Sequence, residues 1–222
     1  MALRWRWLWA LAGLVGGWAF LGWHPPRVTV AAGRPLVVLD PGHGGIDPGA
    51  VGAGGVLEKT VNWEVTVAAA RVLGRRGVAV VLTRQGDTTA APGPYLVVRD
   101  LRYRAFLARH RGATLLVSIH SNAEPSGRAV GPIVYYYAPS LASRALADAL
   151  TAPLTAVTGI YHAPRPARHL VLVEAGVPAV TVELGFLTAA ADRARLTSPT
   201  WQARLGAAVA QGILRYLAER GG

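Results

Sequence analysis

Cysteine is absent from all 222 residues. Disulfides and thiolate ligands are therefore excluded, and any metal must be held by histidine, aspartate or glutamate. Acidic residues are scarce, 12 against 23 lysines and arginines, which leaves a formal net charge of +11. Nearly all the basic residues are arginine, and the excess favours anionic partners: nucleic acid, acidic phospholipid or an acidic wall polymer. Charge alone does not choose among them. No nucleic-acid module and no aromatic RNA-stacking signature accompanies it, so nucleic acid is not an expected partner. Nucleotide-binding loops are missing too. The glycine turn after Asp40 lacks a Gly-Lys-Ser/Thr ending. A G-x-G-x-x-G frame set on Gly42 and Gly44 meets Asp47, and one set on Gly52 and Gly54 meets Leu57. No internal repeat is visible, and the length suits one catalytic domain with a short appendage.

Charge is also missing from Trp7 to Trp23, just after Arg4 and Arg6. Residues 1–24 read as a signal anchor or signal peptide. The uncharged run is about the minimum for a membrane helix. Trp5, Trp7 and Trp9 near one end, with Trp18 and Trp23 near the other, sit where an aromatic belt would place them. The best small-x-small cleavage candidate, Gly17-Trp18-Ala19, is poor, which favours an uncleaved anchor over a cleaved signal. The arginines precede the helix, as the positive-inside tendency requires for export of the downstream chain. The expected location is the cell envelope: anchored in the cytoplasmic membrane and facing the wall or periplasm, or secreted if the segment is cut. Residues 25–34 form a linker that starts at Pro25-Pro26.

Residues 35–220 alternate between strand and helix patterns. Strands are expected at Pro35–Asp40, Val78–Arg84, Thr114–His120, Gly131–Tyr137, Leu170–Val173 and Ala179–Glu183. Helices are expected at Lys59–Arg76, Val98–Arg111, Ser140–Thr158 and Thr200–Arg220. Val98, Leu101, Ala105 and Ala108 form an apolar stripe on the second helix. On the third, the stripe is Leu141, Ala145, Ala149 and Pro153 or Leu154. Strands separated by helices imply an α/β fold: a single domain with a mostly parallel twisted sheet of about six strands and helices on both faces, preceded by an N-terminal hydrophobic helix.

The stretch Val37 to Ala50, VVLDPGHGGIDPGA, carries the chemistry. A β-branched run ends in Asp40-Pro41, and a glycine-rich turn then presents His43. Fifteen residues on, Glu58 opens a helical pattern. A second β-run ends in Ser118-Ile119-His120-Ser121-Asn122-Ala123. Ligands of open α/β sheets bind beyond the carboxyl ends of the strands. Two imidazoles and a carboxylate brought to one rim make a three-ligand zinc site with an open fourth position. Taken alone, His43 is an ordinary turn residue; with His120 and Glu58 in matching places it is a ligand. Glu183 ends another apolar run and should reach the same rim, where a buried acid needs a partner such as a metal site.

Taken together, LDPGHGGIDPGAVG, Glu58-Lys59, Thr83-Arg84-Gln85-Gly86-Asp87, SIHSNA and PAVTVELGFLT resemble, in order and spacing, the type-3 zinc-dependent N-acetylmuramoyl-L-alanine amidases. The resemblance covers about Leu36 to Leu217. It implies bacterial cell-wall hydrolysis at the amide between the lactyl group of N-acetylmuramic acid and L-alanine, with peptidoglycan as substrate. It further implies that zinc is held by His43, Glu58 and His120, and that Glu183 is the catalytic acid–base. Ala189 stands where the family usually has Asn, and Ala108-Arg109 where it usually has Ala-Asn; neither position is a ligand. His110, His162 and His169 are not expected ligands, though His162 and His169 sit in a loop that touches substrate in this reading. Two other readings stand beside it: an exported zinc peptidase or deacylase on another amide, which the same residues would serve, and a non-catalytic wall-binding protein, against which the intact His43, Glu58, His120 and Glu183 argue. The chain is expected to be monomeric, and any activator protein is unknown. Unlike some division-linked members, it has few spare residues between SIHSNA and the last strand for a helix that would plug the site.

Overall fold

The computed structural model describes residues 34–220. In chain order, β1 (Leu36–Pro41) leads through a short hairpin, β2 (Val51–Gly52) and β3 (Val56–Leu57), into α1 (Glu58–Arg75). Next come β4 (Ala79–Leu82), α2 (Val97–His110), β5 (Leu115–Asn122), β6 (Ile133–Tyr136) and α3 (Leu141–Thr158). The chain finishes with β7 (Arg165–Pro166), α4 (Leu170–Glu174), β8 (Ala179–Phe186), α5 (Ala190–Leu196) and α6 (Pro199–Arg220).

Six strands form one sheet in the order β4-β1-β5-β8-β6-β7. All neighbours are parallel except β6 and β8, which run antiparallel. The strands are aliphatic because both faces are covered. Val37, Leu39, Leu115, Val117, Val180 and Val182 point to one face and meet Val65 and Leu73 of α1, Leu146 and Leu150 of α3, and Val209 and Ile213 of α6. Val38, Leu116 and Ala179 point to the other and meet Ala108 of α2 with Val171 and Leu172 of α4. That second cover reaches only the lower half of the sheet. Above it the second face carries polar residues, because side chains alternate and the rows above Val38, Leu116 and Ala179 are Asp40, Ser118 and Thr181.

The single α/β domain and the six-stranded, mostly parallel sheet agree with the expectation, but several details differ. Leu170–Val173 is the helix α4, not a strand. A short apolar run has the same pattern in either state. Here it buries Val171 and Leu172 under the sheet instead of joining it. The sixth strand is β7, two residues within the loop before α4. On α2, Val98 is 53% exposed; the buried positions are Asp100, Arg104, Ala105 and Ala108. On α3, Leu141 and Ala145 are exposed, and the buried face runs through Ser143, Leu146, Leu150 and Leu154. The expected N-terminal hydrophobic helix lies outside the described residues. Among the described residues, no helix is long and apolar enough to cross a membrane.

Candidate metal centre

Three side chains converge at the upper rim of the second face. His43 follows β1, Glu58 is the first residue of α1, and His120 lies on β5. Each offers one ligand atom, and these atoms lie within 4.8 Å of one another. His43 Nε2 is 3.1 Å from Glu58 Oε2, and His120 Nδ1 is 3.0 Å from Glu58 Oε1. The two imidazoles meet edge to face, 5.0 Å apart.

The turn that delivers His43 depends on backbone freedom at specific places. His43 itself has φ of 60°, a left-handed conformation uncommon for a residue with a side chain. Gly42 has room for nothing larger, since a Cβ there would fall 2.2 Å from the His120 ring. Arg104, on α2, holds the turn from below: its Nη2 donates to the His43 carbonyl at 2.8 Å and its Nη1 to the Pro41 carbonyl at 2.9 Å. The same guanidinium pairs with Asp40 at 2.6 Å and Asp100 at 2.7 Å. Ser118 Oγ and Thr83 Oγ1 also donate to Asp40. All of these groups are buried. Burial alone would raise the Asp40 pKa, but Arg104 and then the Ser118 and Thr83 hydroxyls hold it below its usual value. The Thr83–Asp87 segment ties down the other side. Arg84 donates to the carbonyls of Pro41 and Lys59, while Asp87 accepts from Gly45 N and Lys59 Nζ.

Hydrogen bonds orient the histidines and the carboxylate. His43 Nδ1 contacts Asp47 Oδ2 at 2.8 Å, which turns Nε2 toward Glu58. Asp47 also accepts from Tyr95 Oη at 2.8 Å. Glu58 accepts from Ala50 N, Asn62 Nδ2 and Ser121 N. Burial would depress His43, yet Glu58 and then Asp47 outweigh it and raise its pKa to about 9. Burial would raise Glu58, yet His120 and His43 hold it far below the usual carboxylate range.

Glu183 lies in register with His120 on the adjacent strand β8, so the two project side by side. It does not end its strand as expected; β8 continues to Phe186, and β5 continues past His120 to Asn122 with a register shift. Glu183 Oε2 is fully buried and, among the described residues, has no hydrogen-bond partner. Burial, with the Glu58 charge adding to it, pushes the Glu183 pKa up to about 7 against the pull of His120 and His43.

The donor set fits a divalent cation of zinc type: two imidazoles and one carboxylate, one imidazole backed by a second carboxylate. The unpartnered oxygen of Glu183 beside it is what a site completed by a bound group would leave. All four residues singled out in the sequence thus meet at one place. Asp40, Asp47, Tyr95 and Arg104 support them and were not singled out. His110 stacks on Phe106 away from the centre, and His162 contacts the Val130 carbonyl. Ala189 is buried against Ile133 and Phe186, and the Arg109 side chain packs on Gly176.

Comparison with known proteins gives a consistent result. The sequence matches the family described as N-acetylmuramoyl-L-alanine amidase over residues 37–215. It is 33% identical over 208 residues to the germination-specific N-acetylmuramoyl-L-alanine amidase of Bacillus subtilis, covering 90% of this chain and 86% of that protein. It is 27% identical to N-acetylmuramoyl-L-alanine amidase AmiA of Escherichia coli, over 88% of this chain and 80% of that one. Among solved structures, the amidase AmiC2 of Nostoc punctiforme superposes with a TM-score of 0.76 at 36% identity, covering 85% of this chain and 99% of that one. The CwlD amidase of Clostridioides difficile, solved in complex with the GerS lipoprotein, superposes with a TM-score of 0.79 at 27% identity, covering 84% and 100%.

Proposed function

The chain belongs to the N-acetylmuramoyl-L-alanine amidase family, and from that premise we propose how its own residues carry out hydrolysis of the amide between N-acetylmuramic acid and L-alanine in peptidoglycan. His43, Glu58 and His120 would hold a zinc ion. When bound, zinc supplies Lewis acidity, which polarises the lactyl carbonyl and acidifies water. Asp47 keeps the His43 proton on Nδ1 and leaves Nε2 free to ligate. Glu183 takes a proton from the attacking water as its oxygen bonds to the carbonyl carbon. It returns that proton to the L-alanine nitrogen as the carbon–nitrogen bond breaks. A carboxyl held near neutrality suits both steps.

The observation that supports this reading is the meeting of three ligand atoms within 4.8 Å beside a buried, unpartnered carboxylate oxygen. The relatives named above are N-acetylmuramoyl-L-alanine amidases, which supports an envelope or exported location for this chain. We assign export to the uncharged segment at Trp7–Trp23, with the catalytic domain tethered beyond the linker. A zinc-loaded preparation incubated with purified peptidoglycan should generate new L-alanine amino termini and no new reducing sugar ends. Amino termini of other residues would assign the site to a peptidase. Wall binding without turnover would leave a binding protein.

A further inference from the structure

The register of the sheet places one row of residues across five strands: Asp40, Ser118, Thr181, Tyr135 and Arg165. Residues in register share a face. Side-chain contacts agree with that. Ser118 donates to Asp40, and His169 Nδ1 lies 3.0 Å from Thr181 Oγ1. The His169 ring also packs on Tyr135 with centroids 5.4 Å apart. The next row up the same face is His120, Glu183 and Ile133. The inner half of the lower row is committed to the Arg104 cluster. Its outer half has no such task. Tyr135 is partly exposed, and Arg165 and His169 are exposed. Among the described residues, Arg165 pairs with no carboxylate.

Geometry gives this outer surface a direction. The scissile carbonyl must face the metal ligands, and the leaving nitrogen must lie within hydrogen-bond reach of Glu183. The peptide beyond that nitrogen then runs away from His120. On that side the sheet offers β6 and then β7, at about 4.8 Å per strand. Arg165 therefore begins about 10 Å from β8. An extended residue spans about 3.5 Å, so the residue after L-alanine comes within reach of an arginine side chain. Arg165 brings a positive charge to this surface beside the Tyr135 and His169 rings, and Arg168, the other arginine of the loop, lies over the Tyr137 ring.

We propose that Arg165, in register beside Tyr135 and its His169 ring contact, forms a stem-peptide subsite that takes the carboxylate of the residue following L-alanine. The proposal rests on the amidase reading above. Its test uses two muramoyl-peptide substrates differing only at that residue, glutamate in one and its α-amide, isoglutamine, in the other. The unaltered zinc-loaded enzyme should have the lower KM for the acid. Arg165→Gln should raise that KM about fivefold, the scale of a half-exposed charge-assisted contact. It should leave kcat and the amide substrate within about twofold, and Arg165→Lys should recover part of the loss. A second measurement needs no turnover: binding of L-alanyl-glutamate against L-alanyl-isoglutamine to a Glu183→Gln protein, followed by NMR. An unchanged acid-over-amide ratio in Arg165→Gln, in both measurements, overturns the subsite. Selective binding of the acid without turnover by the unaltered enzyme would uphold the subsite and overturn the amidase reading.

Discussion

Replacing Glu183 by glutamine should remove activity and at the same time stabilise the metal-free protein at alkaline pH. The reason is the unpartnered Oε2. Burial raises the Glu183 pKa from 4.5 to about 7. The sign comes from proton counting. Below the unfolded value both states are protonated and the site costs nothing; above about 7 both are ionised and the folded state carries the whole penalty. At about 1.4 kcal/mol per pH unit that penalty is roughly 3 kcal/mol, and about 2 once partial exposure of the side chain is allowed for. A neutral amide of the same shape avoids most of it. For a domain of this size about 2 kcal/mol corresponds to roughly 4–8 °C in Tm. Calorimetry of chelator-treated protein should therefore show Glu183→Gln melting higher at pH 8.5 and level with the parent at pH 4.5. Zinc should shrink the difference, because a neighbouring cation favours the ionised carboxylate. Turnover on peptidoglycan should fall roughly 10²–10⁴-fold. A variant that melts lower at pH 8.5, or retains more than a third of the activity, would refute the argument that an unpaired buried carboxylate is kept for proton transfer.

Three other outcomes are expected. Metal binding should release close to one proton near pH 7.5, because His43 titrates at about 9 in the ion-free site and must lose its proton to become a ligand. Titration calorimetry in buffers of different ionisation enthalpy reads this, and the release should vanish above about pH 9.5. The stabilisation from protonated His43 in the metal-free protein is correspondingly full below pH 6.5 and lost as pH rises through about 9. Arg104→Ala should cost about 3–5 kcal/mol in urea unfolding, since it strands Asp40 and Asp100 without their cation; a loss below 1 kcal/mol would mean the cluster is hydrated. The catalytic domain should digest peptidoglycan without an added activator. Among the described residues, the connection between β5 and β6 holds no helix to cover His120. Domain that binds zinc yet stays inert until a partner protein accelerates it at least tenfold would overturn that expectation.

The parts of the fold that were legible are those in which one local pattern decides. Leu36–Leu39 and Leu115–Val117 are aliphatic on both sides because helices cover both faces of the sheet, and that signature needs no knowledge of neighbours. The misread parts depend on what lies alongside. Leu170–Val173 has the apolarity of a strand, but the sheet positions beside β8 are filled by β5 and β6, so the segment packs beneath as a turn of helix. Val98 and Leu141 fit a helical stripe by spacing, yet each lies in the opening turn of its helix and is exposed.

The site divides along the same line. His43, Glu58, His120 and Glu183 stand at the boundaries of apolar runs, where polar residues are conspicuous. Asp40 stood in the same first motif and was passed over. Its role rests on Arg104, 64 residues away, which looks like any other arginine in a chain with 23 basic residues. Only the fold shows that this arginine is 2% exposed and reaches the carbonyl of His43. A hint was present even so. Asp100 and Arg104 are spaced four apart on the face of α2 that Ala105 and Ala108 bury, and two opposite charges on a buried face need each other and at least one further partner. A buried guanidinium has more donors than one carboxylate satisfies, so Arg104 beside Asp100 calls for a further acceptor on a strand, and Asp40, at the end of the first aliphatic run, is in place to supply it.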